Sequence, residues 1–383
     1  LAVKTNCTIN GKKYYRVTAS IGKDSNGKLI RKNFYGKNKS DAEQKRDEYL
    51  NNLEKGLTKN YNKLELGKVM HVWLWEVMKI KLKPTTFERY EGIYRNYVKE
   101  KEIYSWVLND VKPLDMQRYY NSLIGTSKSY EQFKIINRVF KTFFNYCVNN
   151  GFILNNPVAG SKIVIPIKKE ETEISIFEDN EIKLIAATTE QKMIRWIALA
   201  SLCTGMRRGE ILGLTWDNIH TKTNEIEINK TLKTICVYED EDNKKWVPQF
   251  QTPKTKGSIR KIPLTKSFIN ILDEVKAFQK KQKEKLQDKY TNNNLIFCKD
   301  DGSMIDDKKI QRQWAAFCKR NNIPYKNFHA LRHTYATIQF ENNVPLKTVS
   351  ALLGHSDIRI TANTYTHVLK KHKEVAVDVL SLY

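Results

Sequence analysis

The chain has 383 residues, of which 40% are hydrophobic and 11% aromatic, enough apolar material for two or three domain cores and too much for a disordered chain. Its 66 Lys and Arg against 42 Asp and Glu give a formal net charge of +24, a field that calls for a polyanionic partner. The six cysteines lack paired short spacings, which argues against disulfides or a cysteine zinc site, and no apolar run is long enough to span a membrane. A cytoplasmic protein without membrane contact is expected.

Residues 1 to 60 predict a small sheet followed by a helix. Lys13 to Ile21 and Lys28 to Tyr35 alternate in polarity, and the dipeptides Asn10-Gly11 and Asn26-Gly27 supply the positive φ that hairpin turns require. Three short antiparallel strands result. Ser40 with Glu43 forms a capping box for the helix, which carries Ala42, Tyr49, Leu50, Leu53 and Leu57 at helical spacing. One sheet face would pack on that helix through Tyr15, Val17, Ile30 and Phe34. The other would display Tyr14, Arg16, Thr18, Arg31, Asn33 and Tyr35, a mixture of charge, hydrogen-bonding groups and aromatic edges. Such a face can lie in a DNA groove or be the solvated side of an adaptor domain.

Residues 64 to 160 predict a helical unit. Leu64 to Leu82 is rich in Val, Met, Trp and Leu, Pro84 interrupts it, and Thr85 with Glu88 caps a second helix. Pro113 starts a third. A fourth runs from about Ser129 to Asn149 and ends at Gly151, with Phe133, Ile136, Val139, Phe140, Phe143 and Phe144 as its inner stripe. Asn155 to Glu173 carries two prolines, a glycine and a charged stretch, and is expected as an extended linker. From 174 to 383 helices surround a β-rich insert made of Glu225 to Asn229, a polar loop at Glu239 to Lys245, and Ile259 to Leu264 after a turn near Gly257.

No phosphate-binding loop, dinucleotide fingerprint or HExxH motif occurs, so neither nucleotide nor zinc chemistry, nor any other cofactor, is expected. What remains is a cluster of Arg, His and Tyr toward the C-terminus. Breaking a phosphodiester without metal requires fixed cations on the non-bridging oxygens, best supplied by two arginines whose planar forks hold their charge. It also requires a nucleophile, a base for that nucleophile and an acid for the leaving oxygen. Four segments offer these groups. Thr204-Gly205-Met206-Arg207-Arg208-Gly209-Glu210 opens a helix with Arg207 and Glu210 on one face, where the carboxylate can orient the guanidinium. Phe328-His329-Ala330-Leu331-Arg332-His333 repeats the spacing with His329 and Arg332. Leu352-Leu353-Gly354-His355 sets a histidine after a helix-ending glycine, and Asn363-Thr364-Tyr365-Thr366-His367 follows ten residues later.

In this order and at this spacing, the four segments resemble the catalytic domain of the tyrosine recombinases over residues 174–383. Pro253 to Leu264 is similar to the β-hairpin that carries the family's catalytic lysine. The two upstream units are similar to the arm-binding and core-binding domains of phage and conjugative-transposon integrases. The resemblance implies that Arg207 and Arg332 clamp the scissile phosphate, His355 adds a third donor, and His329 accepts or shares the tyrosine proton. It implies that a lysine protonates the leaving 5′ oxygen, that Tyr365 attacks to give a 3′-phosphotyrosine, and that Glu210 supports the site. The lysine is Lys254 if the Lys-Thr pair anchors the hairpin, while counting back from Pro263 falls between Lys254 and Lys256. Arg208 and His367 fit no role in the motif and read as DNA contacts or packing.

The expected architecture is a multidomain α+β chain. Residues 1–60 form a three-stranded sheet plus helix that binds arm sites, 64–160 a helical domain that binds core sites, and 174–383 a mostly helical catalytic domain with a small antiparallel sheet. The resemblance implies double-stranded DNA as partner, a homotetramer on DNA, and integration or excision of a mobile element. An excision protein or a host DNA-bending factor is a further candidate partner. Val375 to Leu382 is apolar on one face and would either dock into a neighbour or close its own domain. A DNA-binding regulator that retains the fold, or a type IB-like topoisomerase, shares parts of this pattern. The regulator has no use for the full set of motif residues, and the topoisomerase does not call for the N-terminal sheet.

Overall fold

A computed structural model describes residues 5–9, 11–23, 29–54, 64–124, 130–160, 162–165, 174–190, 192–252 and 259–365. The chain divides into two compact units, Leu1–Glu170 and Glu171–Tyr383.

In the first unit β1 (Cys7–Ile9), β2 (Lys12–Lys23) and β3 (Leu29–Gly36) form an antiparallel sheet in that order. Arg16 pairs with Tyr35, Thr18 with Asn33 and Ser20 with Arg31. Because side chains alternate along a strand, these residues share one face. Arg16, Thr18, Arg31, Asn33 and Tyr35 are exposed there, Tyr14 is half-buried, and the Thr18 hydroxyl donates to Asn33 Oδ1 at 2.6 Å. The other face meets α1 (Lys39–Glu54), where buried Phe34 lies 5.2 Å from the Tyr49 ring and the Lys32 ammonium sits 3.8 Å from that ring's centre. Asn38, not Ser40, caps this helix: Asn38 Oδ1 accepts from the Asp41 amide at 2.9 Å, and Asp41 Oδ2 accepts from the Lys37 amide at 2.8 Å. The helix begins early because Gly36 brings β3 directly onto its first turn, so close that a Cβ there would stand 2.3 Å from the Ala42 nitrogen. The expected core positions Ile30, Leu53 and Leu57 lie outside the residues whose side chains are described.

The helical part of this unit opens with α2 (Leu66–Val72), widens into a π-helical stretch at Trp73–Met78 and closes with α3 (Lys79–Lys81). The next helix, α4 (Pro84–Tyr97), starts at Pro84 itself and not at a Thr85 cap. Proline at the first helical position loses no hydrogen bond, since that amide has no acceptor in the helix, and its fixed φ is already helical. Then come α5 (Pro113–Ile124) and α6 (Tyr130–Asn149), which is followed by Gly151 at φ +70°. The aromatic stripe of α6 is buried from Phe133 to Phe144, and Trp73 meets Phe143 at 5.3 Å between ring centres.

In the second unit α7 (Asp179–Ala187), α8 (Lys192–Thr204) and α9 (Arg208–Leu212) precede the strands β4 (Ile219–His220), β5 (Glu225–Ile228), β6 (Thr231–Tyr238), β7 (Lys244–Gln251) and β8 (Arg260–Pro263). β4, β5 and β8 form one antiparallel sheet, whereas β6 and β7 make a separate two-stranded ribbon. The polar loop expected at Glu239 to Lys245 is the tip of that ribbon, where Asp240 accepts from the Asn243 amide at 2.7 Å. The chain continues through α10 (Lys266–Leu286), α11 (Asp307–Arg320), α12 (Ala330–Glu341), α13 (Leu346–Leu353) and α14 (Ile358–Thr364). One apolar core joins α8, α9, α10, α11 and the start of α12 through Ile197, Leu212, Phe268, Trp314 and Leu331. The fold is thus the expected α+β arrangement of an N-terminal three-stranded antiparallel sheet, a helical bulk and small sheets. No helix among the described residues is long and apolar enough to cross a membrane.

Candidate active site

The second unit brings the ends of α8, α9, α12, α13 and α14 together. Gly205 makes the turn between α8 and α9 at φ +64°, under Tyr335, whose ring carbon would stand 2.5 Å from an added Cβ. The turn delivers Arg207 as the residue capping α9. Its amide donates to Glu210 Oε2 at 2.8 Å, and its Nη1 donates to Glu210 Oε1 at 2.9 Å. The i, i+3 pairing expected from sequence is therefore made.

Glu210 also holds a partner that the sequence did not single out. Arg260, on β8, donates to both Glu210 oxygens at 3.2 and 3.0 Å and through Nε to the Leu352 carbonyl at 2.7 Å. Burial alone would raise the Glu210 pKa, but the hydrogen bonds and charge of Arg260, with the charge of Arg207, hold it at about 2. A carboxylate between two guanidiniums stays ionised and fixes both. Gly354 ends α13 at φ +66° against Arg260, where an added Cβ would meet Nη1 at 2.8 Å.

Arg332, three residues into α12 from His329, is 2% exposed. Its Nη1 donates to the Gly205 carbonyl and its Nη2 to the Leu353 carbonyl, each at 2.7 Å. A guanidinium only donates, so His355 Nε2, 2.9 Å from Arg332 Nη2, is the acceptor. The His355 ring proton then sits on Nδ1 and is donated to the buried Thr361 hydroxyl at 2.7 Å. Burial, with the charges of Arg332 and Arg207, pushes His355 down to about 4. Burial, with His333 and Arg332, does the same to His329. Burial also lowers the Arg332 guanidinium, but an arginine keeps its proton, so the site contains a fixed cation.

Tyr365 follows α14 and is 1% exposed, packed against Phe340 at 5.4 Å between ring centres. Its hydroxyl is 2.8 Å from His333 Nδ1. His329, to which the resemblance gives the tyrosine proton, meets His333 edge-on at 4.7 Å between ring centres. Burial pushes the Tyr365 hydroxyl up to about 12, with the charge of Arg332 opposing.

A cavity of about 590 Å³ opens beside these groups, lined by Arg207, Arg208, Lys233, His329 and Arg332 among others; Tyr365 and His355 are not on its wall. Arg208, on the cavity wall, pairs with Asp307 at 3.3 Å. Lys254, Lys256, His367 and the segment Val375 to Leu382 lie outside the described residues. Among the described residues no cluster of His, Cys, Asp or Glu is placed to hold a metal ion. In the first unit, the exposed sheet face carries Arg16, Thr18, Arg31, Asn33 and Tyr35, with half-buried Tyr14 on the same strand as Arg16.

Arg260 and His333 were both visible as residue types. Arg260 lies within an alternating strand where a charged side chain on the inner face demands a partner. His333 lies one helical turn beyond His329.

Comparison with known proteins finds relatives over the whole chain. Residues 176–372 match the phage integrase family, and residues 65–124 match the phage integrase N-terminal SAM-like domain. A tyrosine recombinase XerC-like protein of Caldanaerobacter subterraneus subsp. tengcongensis is 45% identical over 387 aligned positions, covering 100% of this chain and 99% of its own. The fold is shared with the Tn1549 transposon integrase in complex with a circular intermediate DNA, at a TM-score of 0.64 and 18% identity over 80% of this chain and 99% of that one. It is also shared with a lambda integrase tetramer bound to a Holliday junction, at a TM-score of 0.57 and 17% identity over 93% of this chain and 92% of that one. The chain belongs to the phage integrase family of tyrosine recombinases, enzymes of site-specific DNA recombination.

Proposed function

We propose that this protein integrates and excises a mobile element by cutting and rejoining double-stranded DNA through a 3′-phosphotyrosine at Tyr365. The observation that carries the proposal is the convergence of Arg207 and Arg332 on one cavity, with the Tyr365 hydroxyl bonded to the residue next to Arg332 in α12. A phosphate in that cavity meets two guanidiniums, each oriented before substrate arrives: Arg207 by Glu210, and Arg332 by the Gly205 and Leu353 carbonyls. Charge developing on the phosphate oxygens is then stabilised without reorganisation.

His355 gives its Nε2 to Arg332 in this structure. To act as a third donor it must exchange that bond for the phosphate and carry a proton on Nε2, either by gaining one, which the negative charge of the phosphate favours, or by moving its ring proton from Nδ1. His329 lies on the cavity wall as a further group facing the phosphate. Lys254 or Lys256, in the segment before β8, protonates the leaving 5′ oxygen. No external energy source is needed, because the aryl phosphate ester preserves the broken bond for reattack.

The division of labour follows the chain. Residues 1–60 bind arm sites through the face bearing Arg16, Thr18, Arg31, Asn33 and Tyr35, residues 64–160 bind core sites, and residues 174–383 carry the chemistry. Four protomers on two DNA sites exchange strands, by analogy with the lambda integrase tetramer on its Holliday junction. The mobile-element role rests on the shared fold with a transposon integrase.

The test is a plasmid with two attachment sites, whose products are sequenced across the junctions. The expected result is reciprocal exchange at one position in each site. Relaxation without exchange would identify a topoisomerase, and binding with neither would identify a regulator.

A further inference from the structure

We propose that His333 is the catalytic base that takes the proton from Tyr365, a role distinct from that of His329. The inference rests on the function proposed above. Among the described residues no other side chain is hydrogen-bonded to the Tyr365 hydroxyl, and the 2.8 Å separation of Oη and Nδ1 is within the range for direct proton transfer. His329 has no such contact; its ring touches the edge of His333 and its place is on the cavity wall.

The direction of the hydrogen bond follows from the surroundings. Among the described residues, the titratable and charged groups facing His333 are Tyr365, at the end of α14, Arg332 from its own helix, and His329, which caps that helix. Burial, with the charge of Arg332, lowers the His333 pKa and keeps the ring neutral, while burial holds the phenol protonated. The phenol O–H therefore donates, and the Nδ1 lone pair already points at the proton to be removed. Position reinforces chemistry. His333 and Arg332 are consecutive on α12, so the helix that fixes one clamp arginine also fixes the base.

The step balances. The Oη–H bond breaks as Nδ1–H forms, and the Oη–P bond forms as P–O5′ breaks. The leaving oxygen takes its proton from the lysine acid, so His333 gains one proton as the lysine loses one. The resulting imidazolium returns its proton to Oη when a 5′-hydroxyl attacks the phosphotyrosine. The cationic ring beside Arg332 is tolerated because the anionic phosphate is then present.

The test uses the full chain, a core-site duplex nicked just beyond the cut, and single-turnover formation of the covalent complex across pH. In the wild type the rate should rise as a group below the ordinary histidine value loses its proton and then level off. His333→Gln keeps a hydrogen-bonding amide without a basic nitrogen. It should bind the duplex as tightly as wild type yet form the complex roughly 100-fold or more slowly. Its rate should climb with hydroxide where wild type is level. His329→Gln should keep the wild-type profile shape.

A His333→Gln enzyme that is as fast as or faster than wild type would overturn the assignment. So would a slow one whose profile runs parallel to wild type, since that is the signature of packing alone. Loss of the plateau in His329→Gln instead would move the role to His329. The wild-type profile is decisive without any variant: a rate proportional to hydroxide throughout leaves no place for a histidine base. A wild type that forms no covalent complex on a cognate site overturns the function proposed above and this inference with it. A normal complex with an unmoved His333→Gln profile overturns only the inference.

Discussion

Glu210 is 7% exposed and charged, a combination that survives because Arg260 and Arg207 surround it. Its pKa of about 2 against an ordinary 4.5 contributes roughly 3 kcal/mol of stability at neutral pH. Because the folded value lies below the unfolded one, that contribution is complete above pH 4.5 and is lost as pH falls toward 2. His329 and His355, held at about 4 against 6.5, act in a higher window: they destabilise the fold progressively as pH falls from 6.5 to 4. Urea unfolding of wild type and Glu210→Gln at pH 7, 5.5 and 3 separates the two. The variant should be less stable by roughly 3 kcal/mol at pH 7 and 5.5, and the gap should shrink markedly by pH 3. A gap that is missing at pH 7, or unchanged at pH 3, would contradict the assigned burial and pairing. Arg207, Glu210, His329, Arg332, His355 and Tyr365 were singled out because the four short segments that hold them resemble the tyrosine recombinases, and their roles belong to the function proposed above. Arg260 and His333 were not, because their partners lie 50 and 32 residues away and only the tertiary fold brings them together.

The elements were legible where period and punctuation agree. The alternation of β2 and β3 placed Arg16, Thr18, Arg31, Asn33 and Tyr35 on one face, and the register confirms that face. The α6 stripe and its terminal Gly151 behave as the sequence implied. Starts were less secure. Asn38 displaced Ser40 because the close approach of Gly36 to Ala42 sets where the chain enters α1, and Pro84 took the first helical position itself. The π-helical widening at Trp73–Met78 has no sequence signal, since its residues suit an α-helix equally well. The exposed sheet face carries its own prediction. Replacing Arg16 and Arg31 together by Ala should weaken binding of an arm-site duplex by about 1–3 kcal/mol for each hydrogen-bonded base edge that an arginine no longer reaches. The rate of covalent complex formation on a nicked core duplex should be unchanged. Mobility shifts on the arm duplex and trapping on the core duplex measure the two separately. Loss of core cleavage with arm binding intact would reverse the division proposed for the first unit.

At the scale of the whole molecule, the chain combines a net charge of +24 with two compact units. A charge of this size favours a polyanionic partner, because neutralising phosphates releases counterions whatever the sequence. In the function proposed above the chemistry belongs to the second unit, where Arg207 and Arg332 line one cavity and the Tyr365 hydroxyl is bonded to His333, the residue after Arg332. Cleavage and binding should therefore be separable by a single oxygen atom. With a core-site duplex nicked just beyond the cut, the short 5′-hydroxyl fragment diffuses away and the covalent complex accumulates. Peptide mapping of that complex tests the account most directly. The adduct should lie on Tyr365, neither on Tyr335 nor on Tyr383, and Tyr365→Phe should bind the same duplex with unchanged affinity and form none. An adduct on another residue, an adduct formed by Tyr365→Phe, or no adduct from the wild type on its cognate site would contradict it.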